Sequence, residues 1–139
     1  MLVRREEQDR FSFEEQYNVW GRRLFPWDGV PEPEWGGAWV AVDPHTTSAP
    51  HDHDENELFF ILEGRGSMRI DGEVRPVKPG DMVFIPPFHE HALTNEGDTR
   101  LLFLTIWWGG GNGDAKADAA AEEAEAVGVA AAEEHVAGR

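Results

Sequence analysis

The stretch His51-Asp52-His53-Asp54-Glu55-Asn56-Glu57-Leu58-Phe59-Phe60-Ile61-Leu62-Glu63-Gly64 decides the fold. It passes from a polar, histidine-bearing approach into a continuous apolar run of strand length that stops at a glycine. In an extended chain successive side chains alternate between faces, so His51 and His53 point the same way, as two ligands of one metal ion must. Glu57 shares their parity. A second stretch, Gly80-Asp81-Met82-Val83-Phe84-Ile85-Pro86-Pro87-Phe88-His89-Glu90-His91-Ala92-Leu93-Thr94-Asn95, completes the set one strand-turn-strand excursion later. There His91 brings a third imidazole, and His89, of the same parity, is an alternative ligand or a supporting group. Three neutral imidazoles and one carboxylate suit one divalent transition metal (Fe, Mn, Ni, Co, Cu or Zn) and leave room for exogenous ligands. A hydrated polar loop would explain any one of these histidines, whereas the joint pattern favours metal binding. His45, in a turn-rich segment, and His135, near the C-terminus, are read as bystanders.

Working outward, strand signals recur at short intervals: Gly37–Val42, Glu57–Leu62, Ser67–Ile70, Glu73–Val77, Asp81–Ile85, His91–Thr94 and Arg100–Trp108. Asp71-Gly72 between two of them predicts a two-residue type I′ hairpin with positive φ at both positions. Many short strands separated by Gly, Pro and Asp turns argue for an all-β sandwich or barrel. The runs Leu58–Leu62 and Leu101–Trp108 are apolar at both parities, which predicts that both faces of their sheet are covered.

Residues 1–36 read as an N-terminal arm packing on the barrel. Phe11 and Phe13 are its docking groups, the aromatic but broken Tyr17–Trp27 lies over a sheet or a subunit boundary, and Asp28–Glu34 is an extended connector. Residues 37–108 form the barrel. From residue 109 the composition changes to Gly-rich and then Ala/Glu-rich; Asp114 is placed to cap a helix, yet no apolar stripe follows. The expectation for 109–139 is an acidic helical or disordered tail, with docking of a protein partner as its functional alternative.

A chain of 139 residues is expected to form one domain. The absence of cysteine removes disulfides and thiol chemistry. A formal charge of -15 argues against nucleic-acid partners and anionic membrane surfaces. With no apolar leader and no spanning run, a cytoplasmic protein is expected.

The spacing His51-x-His53, three residues, Glu57, six residues, Gly64 resembles the first motif of the cupin superfamily. Gly80, five residues, Pro86, then His91 and Asn95 resembles the second. The 15-residue spacer Arg65–Pro79 is similar to that of small single-domain bacterial cupins. The resemblance implies a double-stranded β-helix (jelly-roll) barrel, a homodimer, and His51, His53, Glu57 and His91 as metal ligands. Cupins usually have Gly where Phe88 stands, so the turn before His91 is expected to manage without positive φ, with the ring projecting toward the site. Trp20–Trp27 and Ile106-Trp107-Trp108 are in addition similar to cupin modules of hydrazine-forming synthetases. That likeness implies rearrangement to an N–N bond alongside a separate protein.

These readings lead to a metal-dependent cupin enzyme acting on a small polar metabolite by oxygenase, isomerase or lyase chemistry. Glu57 is assigned as a ligand rather than a base, and no catalytic residue is assigned. Candidate pocket residues are Trp39, Phe59, Ile61, Phe84, Phe88 and His89, with Arg69 as anchor for a substrate carboxylate. The alternatives are a non-catalytic small-molecule-binding module, or a metal that only pins strands together.

Overall fold

The computed structural model describes residues 1–111. After one 3-10 turn, Gln8–Arg10, nine strands follow among these residues: β1 Ser12–Glu14, β2 Val19–Arg23, β3 Gly36–Val42, β4 Glu55–Glu63, β5 Gly66–Ile70, β6 Glu73–Val77, β7 Met82–Ile85, β8 His91–Asn95 and β9 Leu101–Gly109. They form a six-stranded sheet, β1-β2-β3-β9-β4-β7, and a three-stranded sheet, β6-β5-β8. All strand pairings within both sheets are antiparallel. The fold is the all-β jelly roll that the sequence implied.

Alternation along the strands builds the core. Val40 and Val42 of β3, Phe59 and Ile61 of β4, and Leu101 and Phe103 of β9 turn inward to meet Met68 of β5 and Leu93 of β8. The register sets Glu57 beside Trp107, Phe59 beside Thr105 and Ile61 beside Phe103, so the inner face passes from mixed polar and aromatic pairs to a purely apolar one. The outer face is also apolar but only partly covered. Leu58, Phe60, Leu102, Leu104 and Ile106 are half-buried there, while Met82 and Phe84 are 63% and 41% exposed.

All seven strands read from the sequence are present, with ends moved by one or two residues. The segment read as an arm also contributes β1 and β2, which extend the sheet beyond β3. Phe11 is buried, whereas Phe13 lies on the surface against Trp20, with ring centroids 5.2 Å apart. Gly21 sits within β2, where the Glu14 carboxylate occupies its side-chain space: a Cβ there would come 2.9 Å from Glu14 Oε2.

Two turns differ from expectation. In the Asp71-Gly72 hairpin positive φ falls on Asp71 (51°) and not on Gly72, so the type I′ pattern is not realised. The Asp71 carboxylate instead accepts from the Glu90 N–H at 3.2 Å, tying the hairpin to the segment before β8. Phe88 adopts φ 66° despite its side chain, and the ring is 46% exposed. Its N–H donates to the His53 carbonyl at 2.7 Å, an anchor that offsets the roughly 1–2 kcal/mol cost of a left-handed non-glycine residue. Residues 112–139, including Asp114, His135 and most of the expected tail, lie outside the described residues.

Asn95 closes β8 and is fully buried. Its amide donates to the carbonyls of Val42 (2.9 Å) and Thr99 (2.8 Å), while its side-chain oxygen accepts from Gly97 N–H (2.9 Å). Removing the side chain strands three buried or half-buried backbone groups. Asn95→Ala is therefore expected to cost about 3 kcal/mol and lower the thermal midpoint by about 10 °C, measured by calorimetry.

Candidate metal centre

The polar approach to β4 is laid against β8 by backbone hydrogen bonds. Ser48 N–H donates to Leu93 C=O at 2.9 Å, and His51 and His91 exchange N–H and C=O in both directions at 3.3 and 3.0 Å. That exchange sets the two imidazoles side by side, centroids 4.4 Å apart and planes tilted by 55°. His53 follows two residues on, and β4 delivers Glu57 to the same place. One donor atom from each of His51, His53, Glu57 and His91 lies within 4.8 Å of all the others.

Each imidazole is oriented by a near neighbour in the chain. Nδ1 lies 3.0 Å from the Ala49 carbonyl in His51, 3.1 Å from the Glu55 carbonyl in His53 and 2.9 Å from the His89 carbonyl in His91. A carbonyl can only accept, so each Nδ1 carries a hydrogen and each Nε2 faces the centre, where it holds a proton against Glu57 or, once deprotonated, offers a lone pair to an ion. Nε2 of His91 is buried without a hydrogen-bond partner, although Glu57 Oε1 is 3.3 Å away. An orphaned lone pair facing two other imidazoles and a carboxylate is what a bound cation would satisfy, and the donor set fits a divalent transition metal.

Glu57 is only 7% exposed. Its Oε1 lies 2.8 Å from His53 Nε2, and its Oε2 accepts from the Thr105 hydroxyl. Burial pushes its carboxyl up, but the His53 ring, the His91 ring beside it and the Thr105 hydroxyl win and bring it down to about 2. Burial pulls His53 down, yet the adjoining Glu57 carboxylate outweighs it and His53 is raised. His51, with no carboxylate so close, is lowered, by burial first and then by His91 and His53 beside it.

A cavity of about 340 Å³ opens beside these side chains, lined by Tyr17, Phe59, Phe103 and Trp107 among others, with Glu14, Arg23, Asp52 and Glu55 also in its wall. Gly36 makes room for the Trp107 indole, since a Cβ there would come 2.3 Å from its Nε1. Arg23 is held by Glu14 at 2.9 Å and lies 5.9 Å from the Trp107 ring centre.

Of the pocket residues chosen from sequence, Phe59 lines this cavity. Ile61 shares its parity but is sealed in the core at 2% exposure. Trp39 pairs with Leu104 and Phe84 with Leu58 on the outer face. Arg69 is turned to Asp71 O and Glu90 Oε1, both at 3.3 Å, and Phe88 faces outward. His89 is not among the four converging donors; its ring contacts the Asp71 carboxylate, and it serves the cluster through its carbonyl on His91. His45 meets Asp98 at 2.7 Å in an exposed pair. The sequence reading missed Thr105, Tyr17 and Trp107. The signal for Thr105 was present: it is the single polar residue in the run Leu101–Trp108, at the parity of Leu101 and Phe103.

A jelly roll carrying a His/His/Glu/His cluster at one end of its inner face defines a class of small-molecule-binding barrels. The family of the cupin domain matches residues 38–107, and the chain belongs to it. An uncharacterised protein of Methanocaldococcus jannaschii is 44% identical over 65 residues, covering 47% of this chain and 51% of that protein. Glucose-6-phosphate isomerase of Pyrococcus horikoshii is 37% identical over 59 residues (39% of this chain, 31% of that protein). The 5-nitrosalicylic acid 1,2-dioxygenase of a Bradyrhizobium species is 34% identical over 65 residues (47% and 31%). The chain thus spans about half or less of the length of these curated relatives. Among solved structures, the plu4264 protein from Photorhabdus luminescens is 37% identical with a TM-score of 0.71, covering 78% of this chain and 88% of that one. A Cupin 2 conserved barrel domain protein from Salinispora arenicola is 29% identical with a TM-score of 0.71 (88% and 98%). None of these five is a hydrazine-forming synthetase by its name. Among the described residues no helix is long and apolar enough to cross a membrane.

A depressed carboxyl stabilises the fold above its unfolded pKa and loses that contribution as pH falls through the folded value. Glu57, moved from 4.5 to about 2, is expected to withdraw about 3 kcal/mol from the metal-free protein as pH falls from 4.5 to 2. Urea midpoints across that range should fall more steeply for the wild type than for Glu57→Gln.

Proposed function

We propose that this protein is a metal-dependent cupin enzyme acting on a small polar metabolite, with His51, His53, Glu57 and His91 holding one divalent transition metal. The observation that carries this reading is the common orientation of three imidazoles, each with Nδ1 on a carbonyl and Nε2 inward, one of those Nε2 atoms lacking any partner. The cavity beside the donors favours an enzyme over a purely structural ion, which would sit in a closed site. Names such as isomerase and dioxygenase among the relatives support oxygen-rich small substrates. An oxalate-binding protein of Thermotoga maritima is 33% identical over 68 residues (48% of this chain, 56% of that protein), so capture without turnover is the competing reading.

When bound, the metal would supply polarisation of a coordinated oxygen. The protein's own groups do the rest. Phe59 and Phe103 exclude water from one wall, while Tyr17 and Trp107 give the substrate flat apolar surface. Glu57 contributes fixed negative charge, which suits a ligand rather than a proton carrier at neutral pH.

Protein purified without added metal is expected to contain about one divalent ion per chain by elemental analysis. Chelation should lower the thermal midpoint, and re-addition should restore it. His91→Ala should abolish uptake, and an unmetallated wild type with no response to added Mn, Fe, Co, Ni, Cu or Zn would refute the assignment. Because imidazoles ligate only when neutral, and His53 holds its proton more tightly than usual, the thermal gain at pH 7.5 should largely vanish by about pH 5.5.

The partly covered outer face supports a homodimer through β4, β7 and β9, where Leu58, Phe60, Leu104 and Ile106 would meet their counterparts. Sedimentation should give twice the chain mass for the wild type and one chain for Leu104→Glu.

A further inference from the structure

We infer that Thr105 is a positioning residue that makes Glu57 a one-oxygen donor to the metal. The inference rests on the metal-binding reading above and extends it to how the carboxylate is used. Thr105 faces inward from β9, 4% exposed, between Ala38 of β3 and Phe59 of β4. No other polar side chain interrupts Leu101–Trp108, and a buried hydroxyl at that point needs an acceptor. It finds Oε2 of Glu57.

The carboxylate is thereby divided. Oε2 faces Thr105 on one side, while Oε1 faces His53 Nε2 at 2.8 Å and His91 Nε2 at 3.3 Å on the other. A carboxylate tied at one oxygen by a buried donor can neither rotate to offer both oxygens to an ion nor swing clear without weakening or losing the hydroxyl's hydrogen bond. Thr105 therefore sets the number of positions Glu57 fills, and so the number left for substrate. It also keeps Glu57 from acting as a mobile base. The competing account is a core threonine that takes the nearest acceptor and has no bearing on the ion.

Cobalt(II) distinguishes the two, because its visible absorption reports coordination number independently of turnover. Metal-free wild type, Thr105→Ser and the isosteric Thr105→Val would be titrated with Co(II) against a competing chelator, with circular dichroism confirming the fold. Thr105→Ser is expected to match the wild type in affinity and spectrum. Thr105→Val is expected to bind about 10–100-fold more weakly and to change the intensity of the visible bands as the freed oxygen joins the ion. Should Thr105→Val not fold, Thr105→Ala carries the same expectation. Folded Val or Ala variants that match the wild type would overturn the role of Thr105 while leaving the metal site standing. A wild type that takes up no Co(II) or other divalent ion would overturn both.

Discussion

The backbone exchange between His51 and His91 is the constraint on which the rest of the site depends. Two reciprocal hydrogen bonds join a polar loop to the first residue of β8, and through them the end of one sheet is fastened to the other. The distances between imidazoles follow from this pairing, since side chains of directly opposed residues leave the same face of a ladder. Phe88 N–H on the His53 carbonyl reinforces the closure from the other side of the turn. The left-handed backbone at Phe88 is tolerated within this frame, and a glycine is not required.

Once the loop is fastened, electrostatics determines how the cluster behaves. Taking a carboxylate out of water is costly, and the compensation at Glu57 comes from three named groups. In the metal-free protein His53 supplies much of it, which is why the proton affinity of His53 rises as that of Glu57 falls. A cation at the centre would replace the proton in that role. Proton and metal would thus compete for one set of lone pairs, with the carbonyls on the three Nδ1 atoms biasing the competition by fixing which nitrogen faces inward.

Much of this was legible in the letters. Glu57 follows His53 at equal parity on a strand announced by its own apolar run, and the Pro-bounded approach to His91 fixes the second half; both are local patterns. The cavity walls were not legible, because Gly37–Val42 and Leu58–Leu62 are apolar at both parities. The chain cannot say which residues face inward until β9 inserts between β3 and β4. Trp39 and Phe84 then fall outside, and Thr105 and Trp107 fall inside. Strand β2 escaped notice for a related reason. Val19-Trp20-Gly21-Arg22-Arg23 has a β pattern only when β3 and the Glu14 carboxylate complete its surroundings.

The division between the family-matched region and the segment before it has a chemical meaning. The family match runs from 38 to 107 and contains all four converging donors together with Thr105. Glu14, Tyr17, Val19 and Arg23, which line the cavity, come from the segment before it. The family-matched region therefore carries the donors that would hold an ion, while β1, β2 and the turn between them help to shape the cavity beside it. Names attached to relatives that align over 59 to 65 residues inform the first property far more than the second. Under the proposed function, substrate selection is accordingly sought in the contacts of Tyr17, Arg23 and Trp107 rather than in the histidines.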